Sequence, residues 1–581
     1  MELIFSRSAR TFDPMRFLFA TAALFCFCPF ANAGTIALEI RHLWKGEPLP
    51  VPSEEFKTAA GETINIKRLS YLLSEPRFRP AAADVWLGRN DWFGFVDADE
   101  DEWSTLKLGG VPDGGYTGLQ FHVGLDAETD GGDPNQYGPK HPLNPLVSNL
   151  YWTPQKGYIF LALEGRSGPS GFSYHLGHAR NRVTVTLPLE LELAGAATIA
   201  IDFHLDRLLD DFETQKQRST HSREGDPVAA RFQQLLAKAF TIREIRAAKP
   251  SSDSPSFNPK PLVGTPFQFR IKKGFPIPDL PTDFPLTNER VELGRALFHE
   301  AQLSRTNEIS CASCHQTEHA FSDPKQFSIG VEGRTGTRNS MTLFNLAWKK
   351  PFFWDGRAAS LREQALMPIQ DHLEMDESLE NVVRKLSEQP SYPEVFAKAF
   401  GDPEITSERL GIAIEQFILT LTSINSRFDR AMRGEEALTE LEQRGFQLFN
   451  TEHDPRRQQF GADCFHCHGG AFFTDNQFHY NGLKPTDDPG LEKFTGRETD
   501  RDKFSTPSLR NIALTAPYMH DGRFATLEEV IAHYAGGVQR TPNLDPNLAK
   551  HPDGGVPLSK EDQAALVAFL KTLTDDRYES E

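Results

Sequence analysis

"EISCASCHQTEHAFSD", residues 308–323, places Cys311 and Cys314 three positions apart, with His315 directly after them. In a Cys-x-x-Cys-His motif the two thiols form thioethers to a porphyrin, and the histidine binds one face of its iron. The stretch therefore predicts a covalently bound c-type haem. Whether the other face of the iron is open or occupied decides between chemistry at the metal and electron transfer alone.

The same motif occurs a second time, in "CFHCHGG" at residues 464–470, with Cys464, Cys467 and His468. The alternative is one zinc site built from the two cysteine pairs. The histidine beside each pair favours haem, and so does export to an oxidising compartment, which suits thioethers better than free thiolates. We therefore predict two c-type haems, with His315 and His468 as iron ligands.

The N-terminus has the pattern of an export signal. Arg16 is followed by the apolar run "FLFATAALFCFCPF" and then by "ANA", a small-residue cleavage site that ends at Ala33. The apolar run is too short to cross a bilayer comfortably. We predict a signal peptide over residues 1–33, cleaved near Ala33, and a periplasmic chain with no membrane span.

The chain has 581 residues and a net charge of −18. The length suggests more than one domain, and the negative charge argues against a nucleic acid as a partner because phosphates would repel an acidic surface. Residues 34–245 contain short runs in which apolar and polar residues alternate, such as "IALEI" and "RVTVTLPLELEL". Such alternation predicts an all-β sandwich with one face of each sheet buried.

The second half of the chain has a different periodicity. Residues 246–270 are rich in Ser and Pro and predict a linker. Within residues 271–581, "SERLGIAIEQFILTLTS" predicts a helix capped by Ser407, and "SKEDQAALVAFLKTL" predicts one capped by Ser559. We therefore predict a mainly α-helical domain that carries both haems.

Ordered motifs carry a family resemblance between about residues 283 and 575: "GRALFHEAQLS", "GRTGTRNSMTLFN", "FFWDGRAASLREQALMPI" and "TPSLRNIALTAPYMHDGRFATLEEVIAHY", together with the haem motifs. This half resembles the bacterial di-haem cytochrome c peroxidase superfamily. The resemblance implies that the first haem is the peroxide site, that the second handles electrons, and that Trp354 lies between them. It also assigns a calcium ion to Asn339, Thr515 and Pro517, which offer the oxygen ligands that calcium prefers.

The same resemblance assigns Gln364, Pro368 and Glu374 to the pocket over the first haem. Peroxide cleavage needs a group that moves a proton from one oxygen atom to the other. A carboxylate in a partly desolvated pocket has a suitable pKa for this transfer. We therefore predict that Glu374 is the acid–base group.

The sixth ligand of the second haem separates the branches of this superfamily. Ordinary members have Met fourteen residues after the histidine of a His-Asp-Gly motif, whereas here Tyr534 stands fourteen residues after His520, which resembles the MauG and MbnH branch. A phenolate is a hard anionic ligand that stabilises oxidised iron, while a thioether raises the potential. The alternative is that Tyr534 only packs and that His533 or Met519 is the ligand.

Residues 34–245 resemble the MbnP-like family, on "IALEIRHLWKGEPL", "GLQFHVGLD", "NPLVSNLYWTPQKGYIFLALEG" and "FSYHLG". The resemblance implies a copper-binding β-domain in which a tryptophan is converted to kynurenine close to histidine ligands. Imidazole is a natural copper ligand. The candidates are Trp152 and Trp44 for oxidation and His42 and His175 for copper, with His122 and His178 as further histidines.

Together these patterns predict a di-haem oxidoreductase that uses hydrogen peroxide to oxidise a tryptophan of its own or a partner's MbnP-like domain, and so builds a copper site. The expected protein partner is a copper donor or a small redox cytochrome. One alternative is a conventional peroxidase that takes electrons from a small cytochrome. Another is a non-catalytic copper module joined to an electron-transfer cytochrome, which requires both irons to be six-coordinate.

Overall fold

The computed structural model describes residues 33–152, 157–220, 222, 224–247, 263–272 and 274–578. The predicted signal peptide therefore lies outside the described residues except for Ala33, and so does most of the predicted linker. None of the described helices combines the length and the apolar character that are needed to cross a lipid bilayer.

The first half is β-rich, as the sequence predicts. Its strands are β1 (Ala33–Trp44), β2 (Glu47–Pro48), β3 (Phe56–Lys57), β4 (Thr63–Pro80), β5 (Leu87–Gly88), β6 (Phe93–Asp97), β7 (Thr105–Pro112), β8 (Gly114–Val123), β9 (Ile159–Ser167), β10 (Ser170–Gly177), β11 (Val183–Leu193), β12 (Ala196–His204), β13 (Ser219–Thr220) and β14 (Phe240–Ala247). One sheet has the order β14-β12-β1-β2, with β7 also paired to β1. The other has the order β11-β8-β4-β9-β10-β13, with β3, β5 and β6 also paired to β4.

The two sheets form the predicted sandwich because their apolar faces share one core. Along β11, buried and exposed residues alternate without a break from Val183 to Leu193, as expected for a strand with one buried face. Ile36 and Ile199 of the first sheet belong to the same apolar core as Phe121 of the second. This arrangement confirms the fold class that the alternating pattern predicts.

The second half is mainly helical, and its elements follow one another through long loops. The first half contains the short helices α1 (Ala127–Asp130), α2 (Pro145–Ser148), α3 (Asp206–Leu209) and α4 (Pro227–Leu236); the second contains α5 (Asn288–Phe298), α6 (Cys311–Cys314), α7 (Leu361–Gln370), α8 (Leu379–Ser387), α9 (Ser391–Phe400), α10 (Ser407–Leu419), α11 (Arg427–Met432), α12 (Glu440–Phe449), α13 (Glu492–Thr495), α14 (Leu527–Ala532), α15 (Pro546–Ala549) and α16 (Lys560–Lys571). Four short strands accompany them: β15 (His453–Asp454), β16 (Gln459–Phe460), β17 (Phe478–His479) and β18 (Phe504–Ser505).

The helical half contains two lobes with matching helix pairs, one lobe for each haem motif. In the first lobe α5 packs on α10, and a Cβ on Gly294 would overlap the carbonyl oxygen of Ala413. In the second lobe α12 packs on α16, and a Cβ on Gly445 would overlap the carbonyl oxygen of Ala565. Each pair therefore crosses at a glycine that permits close backbone contact, which indicates a duplicated unit.

The structure differs from the sequence prediction at the first residue of one helix and at the end of the last strand of the β half. The N-cap of α10 is Thr406, whose side chain accepts a hydrogen bond from the backbone N–H of Arg409, and not Ser407. Because both residues can cap, the pattern alone does not distinguish them. The Ser559 cap of α16 is present as predicted. The last strand, β14, continues to Ala247, two residues beyond the predicted domain boundary.

The β half is docked on the second lobe of the helical half. The guanidinium of Arg166 on β9 is almost fully buried and donates hydrogen bonds to the carbonyl oxygens of Thr541 (2.7 Å), Pro542 (2.9 Å) and Leu544 (3.1 Å). These bonds tie the strand to the loop that leads into α15. The arrangement brings the outer face of the second sheet against the chain around the second haem motif.

Candidate active site

The first haem motif forms a single helical turn, α6, and His315 follows it directly. Ring atom Nδ1 of His315 donates to the carbonyl oxygen of Phe321 at 2.9 Å, which fixes the ring and leaves Nε2 for a metal. In the second motif Nδ1 of His468 donates in the same way to the carbonyl oxygen of Phe473 at 3.0 Å. Both histidines therefore fit the proximal ligand of a haem.

The zinc alternative fails on geometry. A zinc site from the two motifs needs all four thiols within ligand distance of one another. In the part of the chain that the structure describes, the two cysteine pairs form no such group; Cys311 packs in the first lobe and Cys464 in the second.

A cavity of about 280 Å³ opens beside the first motif and brings most of the predicted pocket together. Its walls include Cys311, Cys314 and His315, and also Gln364, Pro368, Glu374, Trp354, Asn339, Thr515 and Pro517. Gln364 and Pro368 lie four residues apart on α7, so that their side chains share one face of the helix. The walls are largely apolar with a few polar groups, as expected for a cofactor pocket.

Glu374 has the electrostatics that proton transfer requires. It follows the end of α7, where its carbonyl oxygen accepts a hydrogen bond from the N–H of Val331 at 2.8 Å. The pKa of its carboxyl group is raised from 4.5 to about 7, mainly by burial and also by the nearby Asp371, while Arg357 opposes the shift. A carboxyl group with this pKa can both take and return a proton near neutral pH.

Trp354 connects the two lobes. Its indole N–H donates to the carbonyl oxygen of Asn339 at 2.9 Å, and its own carbonyl oxygen accepts from the N–H of Ser505 in β18 at 2.8 Å. The amide nitrogen of Asn339 donates to the carbonyl oxygens of Lys325 and Gln326, both at 3.2 Å. These bonds orient the amide of Asn339 and leave its side-chain oxygen for a cation.

Tyr534 lies in a five-residue π-helical turn, His533–Gly537, a distortion that often marks functional sites. Its hydroxyl accepts from the side-chain N–H of Asn481 at 3.3 Å. Burial raises the pKa of Tyr534 above its usual range, with smaller contributions from Cys467 and Cys464, so the ring lies close to the second motif.

The two other candidate ligands of the second haem are placed differently. Ring atom Nε2 of His533 donates to the carbonyl oxygen of Asn481 at 3.1 Å, so that nitrogen is already engaged. The sulfur of Met519 accepts from the side-chain N–H of Asn481 at 3.6 Å, and Met519 also lines the cavity at the first motif. The assignment of Tyr534 as ligand stays a prediction.

The structure separates the two candidate tryptophans. Trp44 belongs to the sandwich core and packs against Phe56, with ring centroids 4.2 Å apart. Trp152 belongs to a smaller apolar cluster that includes Phe465, a residue inside the second haem motif. Trp152 is therefore the tryptophan that lies next to a haem attachment site.

The structure does not bring the two copper candidates together. His42 lies in the sandwich interior, where Nε2 is 3.0 Å from the hydroxyl of Tyr71. His175 lies on β10, whose core-facing residues are Tyr174 and Leu176, so its side chain projects from the opposite face of that sheet. His42 and His175 therefore lie too far apart in the fold to bind one copper ion together, and copper binding by either residue stays a prediction.

The remaining histidines of the β half also differ in position. The ring centroid of Trp152 lies 5.8 Å from that of His178 and 6.2 Å from that of His175. His122 is elsewhere on β8, with Nδ1 3.0 Å from the hydroxyl of Thr184. The histidines near the candidate tryptophan are therefore His175 and His178.

Motif analysis does not identify two residues at the contact between the β half and the second haem motif. Phe465 and His466 fill the variable positions between the cysteines of the second motif, so the motif treats them as spacers. Both side chains are buried, and their rings stack with centroids 4.3 Å apart. The sequence signal that could have indicated a contact surface is the presence of two aromatic rings, Phe465 and His466, between the cysteines of the motif.

Comparison with known families agrees with this division of the chain. A family profile described as di-haem cytochrome c peroxidase matches residues 288–437, and the MbnP profile matches residues 33–222. Both resemblances that the sequence predicts are thereby confirmed.

The helical half is similar to several curated proteins. The methylamine utilization protein MauG of Methylophilus methylotrophus is 35% identical over 295 residues, which cover 50% of this chain and 84% of that protein. The cytochrome c551 peroxidase of Nitrosomonas europaea is 36% identical over 308 residues, which cover 52% of this chain and 85% of that protein. Among solved structures, a MauG-like protein associated with microbial copper homeostasis is 35% identical with a TM-score of 0.48, over 54% of this chain and 97% of that one.

Proposed function

This chain belongs to the di-haem cytochrome c peroxidase family, and from that premise we propose that it is an exported, periplasmic enzyme that oxidises Trp152 with hydrogen peroxide. It is a peroxidase-type oxidoreductase with two c-type haems, and its first half is an MbnP domain. The observation that carries the proposal is the packing of Trp152 in one apolar cluster with Phe465 of the second haem motif. The product we propose is kynurenine, in a β-domain that handles copper.

Glu374 is the group we propose for proton transfer at the first haem. When bound, the haems supply an iron position for peroxide and a store of oxidising equivalents. The carboxylate of Glu374 would take a proton from one oxygen atom of the peroxide and return it to the other, which would leave as water. Gln364 and Pro368 shape the wall that keeps the peroxide beside Glu374.

Tyr534 and Trp354 are the residues we propose for handling the oxidising equivalents. Trp354 is hydrogen-bonded to both lobes and lines the cavity at the first motif. A Tyr534 phenolate on the second iron would stabilise its oxidised form. With that ligand the second haem would accept electrons only reluctantly from a small cytochrome.

The proposed oxidation balances with two molecules of hydrogen peroxide. Conversion of the indole ring to N-formylkynurenine adds two oxygen atoms from water and releases four electrons and four protons. Reduction of two peroxide molecules to four water molecules consumes those electrons and protons. Hydrolysis then removes the formyl carbon as formate and leaves kynurenine.

Peptide mass spectrometry tests the proposal directly. After peroxide is added to the haem-loaded protein, we expect the peptide with Trp152 to gain one oxygen atom and lose one carbon atom. Trp44 serves as an internal control, because its side chain is buried to a similar degree, with 9% exposed against 7% for Trp152, but packs in the sandwich core. An unchanged Trp152, with peroxide consumed only when a reduced cytochrome is supplied, would favour the conventional peroxidase instead.

Copper binding is the second part of the proposed function. We propose that the copper site lies beside Trp152, where His175 and His178 offer imidazole nitrogens. The copper content per chain should rise after peroxide treatment of the wild-type protein and stay unchanged in a Trp152→Phe variant. Elemental analysis of the same samples that are used for mass spectrometry provides this measurement.

A calcium ion bound between the two haems is the third part of the proposed function. Asn339, Thr515 and Pro517 line one cavity, and Asn339 also holds the indole of Trp354 through its carbonyl oxygen. Removing calcium with a chelator should therefore loosen Trp354 and abolish peroxide consumption. Added Ca²⁺ should restore the activity and Mg²⁺ should not, because the smaller ion demands stricter geometry. An isolated protein with no calcium by elemental analysis would contradict this assignment.

A further inference from the structure

We propose that the oxidising equivalents reach Trp152 from the second haem of the same chain, through Phe465 and His466. The inference rests on the proposed function, because Trp152 is its substrate. It adds a route and a partner: the two spacer residues of the second motif are the route, and the MbnP domain of the same polypeptide is the partner.

Phe465 provides an apolar contact between the two halves. It belongs to a cluster that contains Trp152, Leu150 and Tyr158, and the other described members of that cluster all come from the β half. Its backbone lies between Cys464 and Cys467, the residues that would be bonded to the porphyrin. The side chain therefore extends from the haem attachment into the packing around Trp152.

His466 provides a second, parallel contact. Its ring centroid lies 5.5 Å from that of His175, which in turn lies 6.2 Å from that of Trp152. The ammonium of Lys550 donates to Nε2 of His466 at 3.2 Å and so fixes the ring. Buried aromatic rings in van der Waals packing are a suitable medium for electron transfer, because no solvent has to rearrange between them.

The two halves are held in this position before any substrate arrives. Buried Glu164 accepts from Nε2 of His175 at 2.8 Å and from the side-chain N–H of Asn547 at 3.3 Å. Gly171 on β10 lies so close to Pro546 that a Cβ would overlap its carbonyl oxygen. A fixed contact of this kind replaces a diffusional encounter and makes the oxidation intramolecular.

The electrons have a complete path in this scheme. With both haems bound, Phe465 and His466 would carry each electron that leaves the indole of Trp152 toward the second haem. Reduction of peroxide to water would consume that electron. The protons released at Trp152 and those taken up by peroxide are equal in number, so the step needs no further oxidant or reductant.

An isotope-mixing experiment tests whether the oxidation stays within one chain. Wild-type protein labelled with ¹⁵N is mixed with an unlabelled Glu374→Gln acceptor whose Trp152 is intact, and peroxide is added. Mass spectrometry then separates the two Trp152 peptides, with the acceptor alone as background. We expect oxidation of the labelled peptide only, at a rate independent of protein concentration. Equal oxidation of the acceptor would overturn the inference, and an unmodified labelled peptide would remove the proposed function itself.

A second variant tests the contact without touching either haem motif. Gly171→Leu should push Pro546 away and lower the rate of Trp152 oxidation by roughly 10²-fold, the scale of a lost intramolecular encounter. Peroxide consumption with a small reducing dye should stay unchanged. Gly109→Leu is the matched control, because Gly109 lies in a strand of the same half with open space around its Cβ position. Trp152 oxidation at the wild-type rate in Gly171→Leu would contradict the route.

Discussion

Replacing Glu374 by glutamine should slow the reaction with hydrogen peroxide by about 10²–10⁴-fold, the usual contribution of a general acid–base group. Glutamine has nearly the same size but cannot take a proton, so the cavity keeps its shape while the transfer between the two oxygen atoms is lost. Stopped-flow spectroscopy of the haem bands after addition of peroxide measures the rate constant. Glu380→Gln, an exposed position on α8, is the matched control and should behave like the wild type.

The pH profile gives an independent test of the same group. Burial raises the pKa of Glu374 to about 7, and the first proton transfer needs the carboxylate form. The wild-type rate should therefore rise as pH increases through about 7 and level off above it, because below that value the group is already protonated. The Glu374→Gln variant should show no such transition. A wild-type profile that is flat between pH 5 and about 9, a window centred on the raised pKa, would argue against Glu374 as the base.

The sequence predicts features that depend on local pattern. The unbroken alternation of apolar and polar residues from Val183 to Leu193 indicates a strand with one buried face. This pattern can be recognised without knowing which strand pairs with it. The haem motifs are equally local, because the chemistry requires the cysteines and the histidine to be adjacent. The clustering of Gln364 and Glu374 in one cavity followed from family resemblance and is consistent with the structure.

Features that depend on contacts between distant segments were not predictable in this way. His42 and His175 both occur in matching motifs, but they lie on different sheets. His42 points into the core between the sheets and His175 points away from it, and a sequence gives no sheet order. The two haem motifs already indicate a duplicated unit, but the matching helix crossings at Gly294 and Gly445 are found only in the structure. From the sequence alone, a glycine within a helix pattern only lowers the expected helix propensity. Its role in close packing becomes clear when the backbone of the facing helix is known.

The contact between the β half and the helical half is the feature that the sequence predicted least. Phe465 and His466 look like spacers, and Trp152 and Trp44 look alike as buried aromatic residues. What distinguishes the two tryptophans is which of them packs on the second haem motif, and this depends on the docking of one domain on another. That docking rests on a few buried polar groups, such as Arg166, whose partners are backbone carbonyls that carry no sequence signature.

Replacing Tyr534 by methionine should change which reaction the protein performs. A thioether raises the potential of a haem, whereas an anionic oxygen ligand lowers it. We expect the potential of the second haem to rise by a few tenths of a volt, within the roughly 0.8 V range that axial ligands span. A spectroelectrochemical titration of the variant and the wild type measures this shift.

The functional consequence follows from the direction of that shift. At the higher potential the second haem should accept electrons from a reduced small cytochrome, so cytochrome-dependent peroxide reduction should appear while oxidation of Trp152 falls. Met519→Leu is the matched control, because Met519 shares the side-chain N–H of Asn481 with Tyr534. If Met519→Leu shifts the potential and Tyr534→Phe does not, Met519 is the ligand. The proposed oxidation of Trp152 would then not depend on this ligand, and the packing of Trp152 in one cluster with Phe465 would have to account for it.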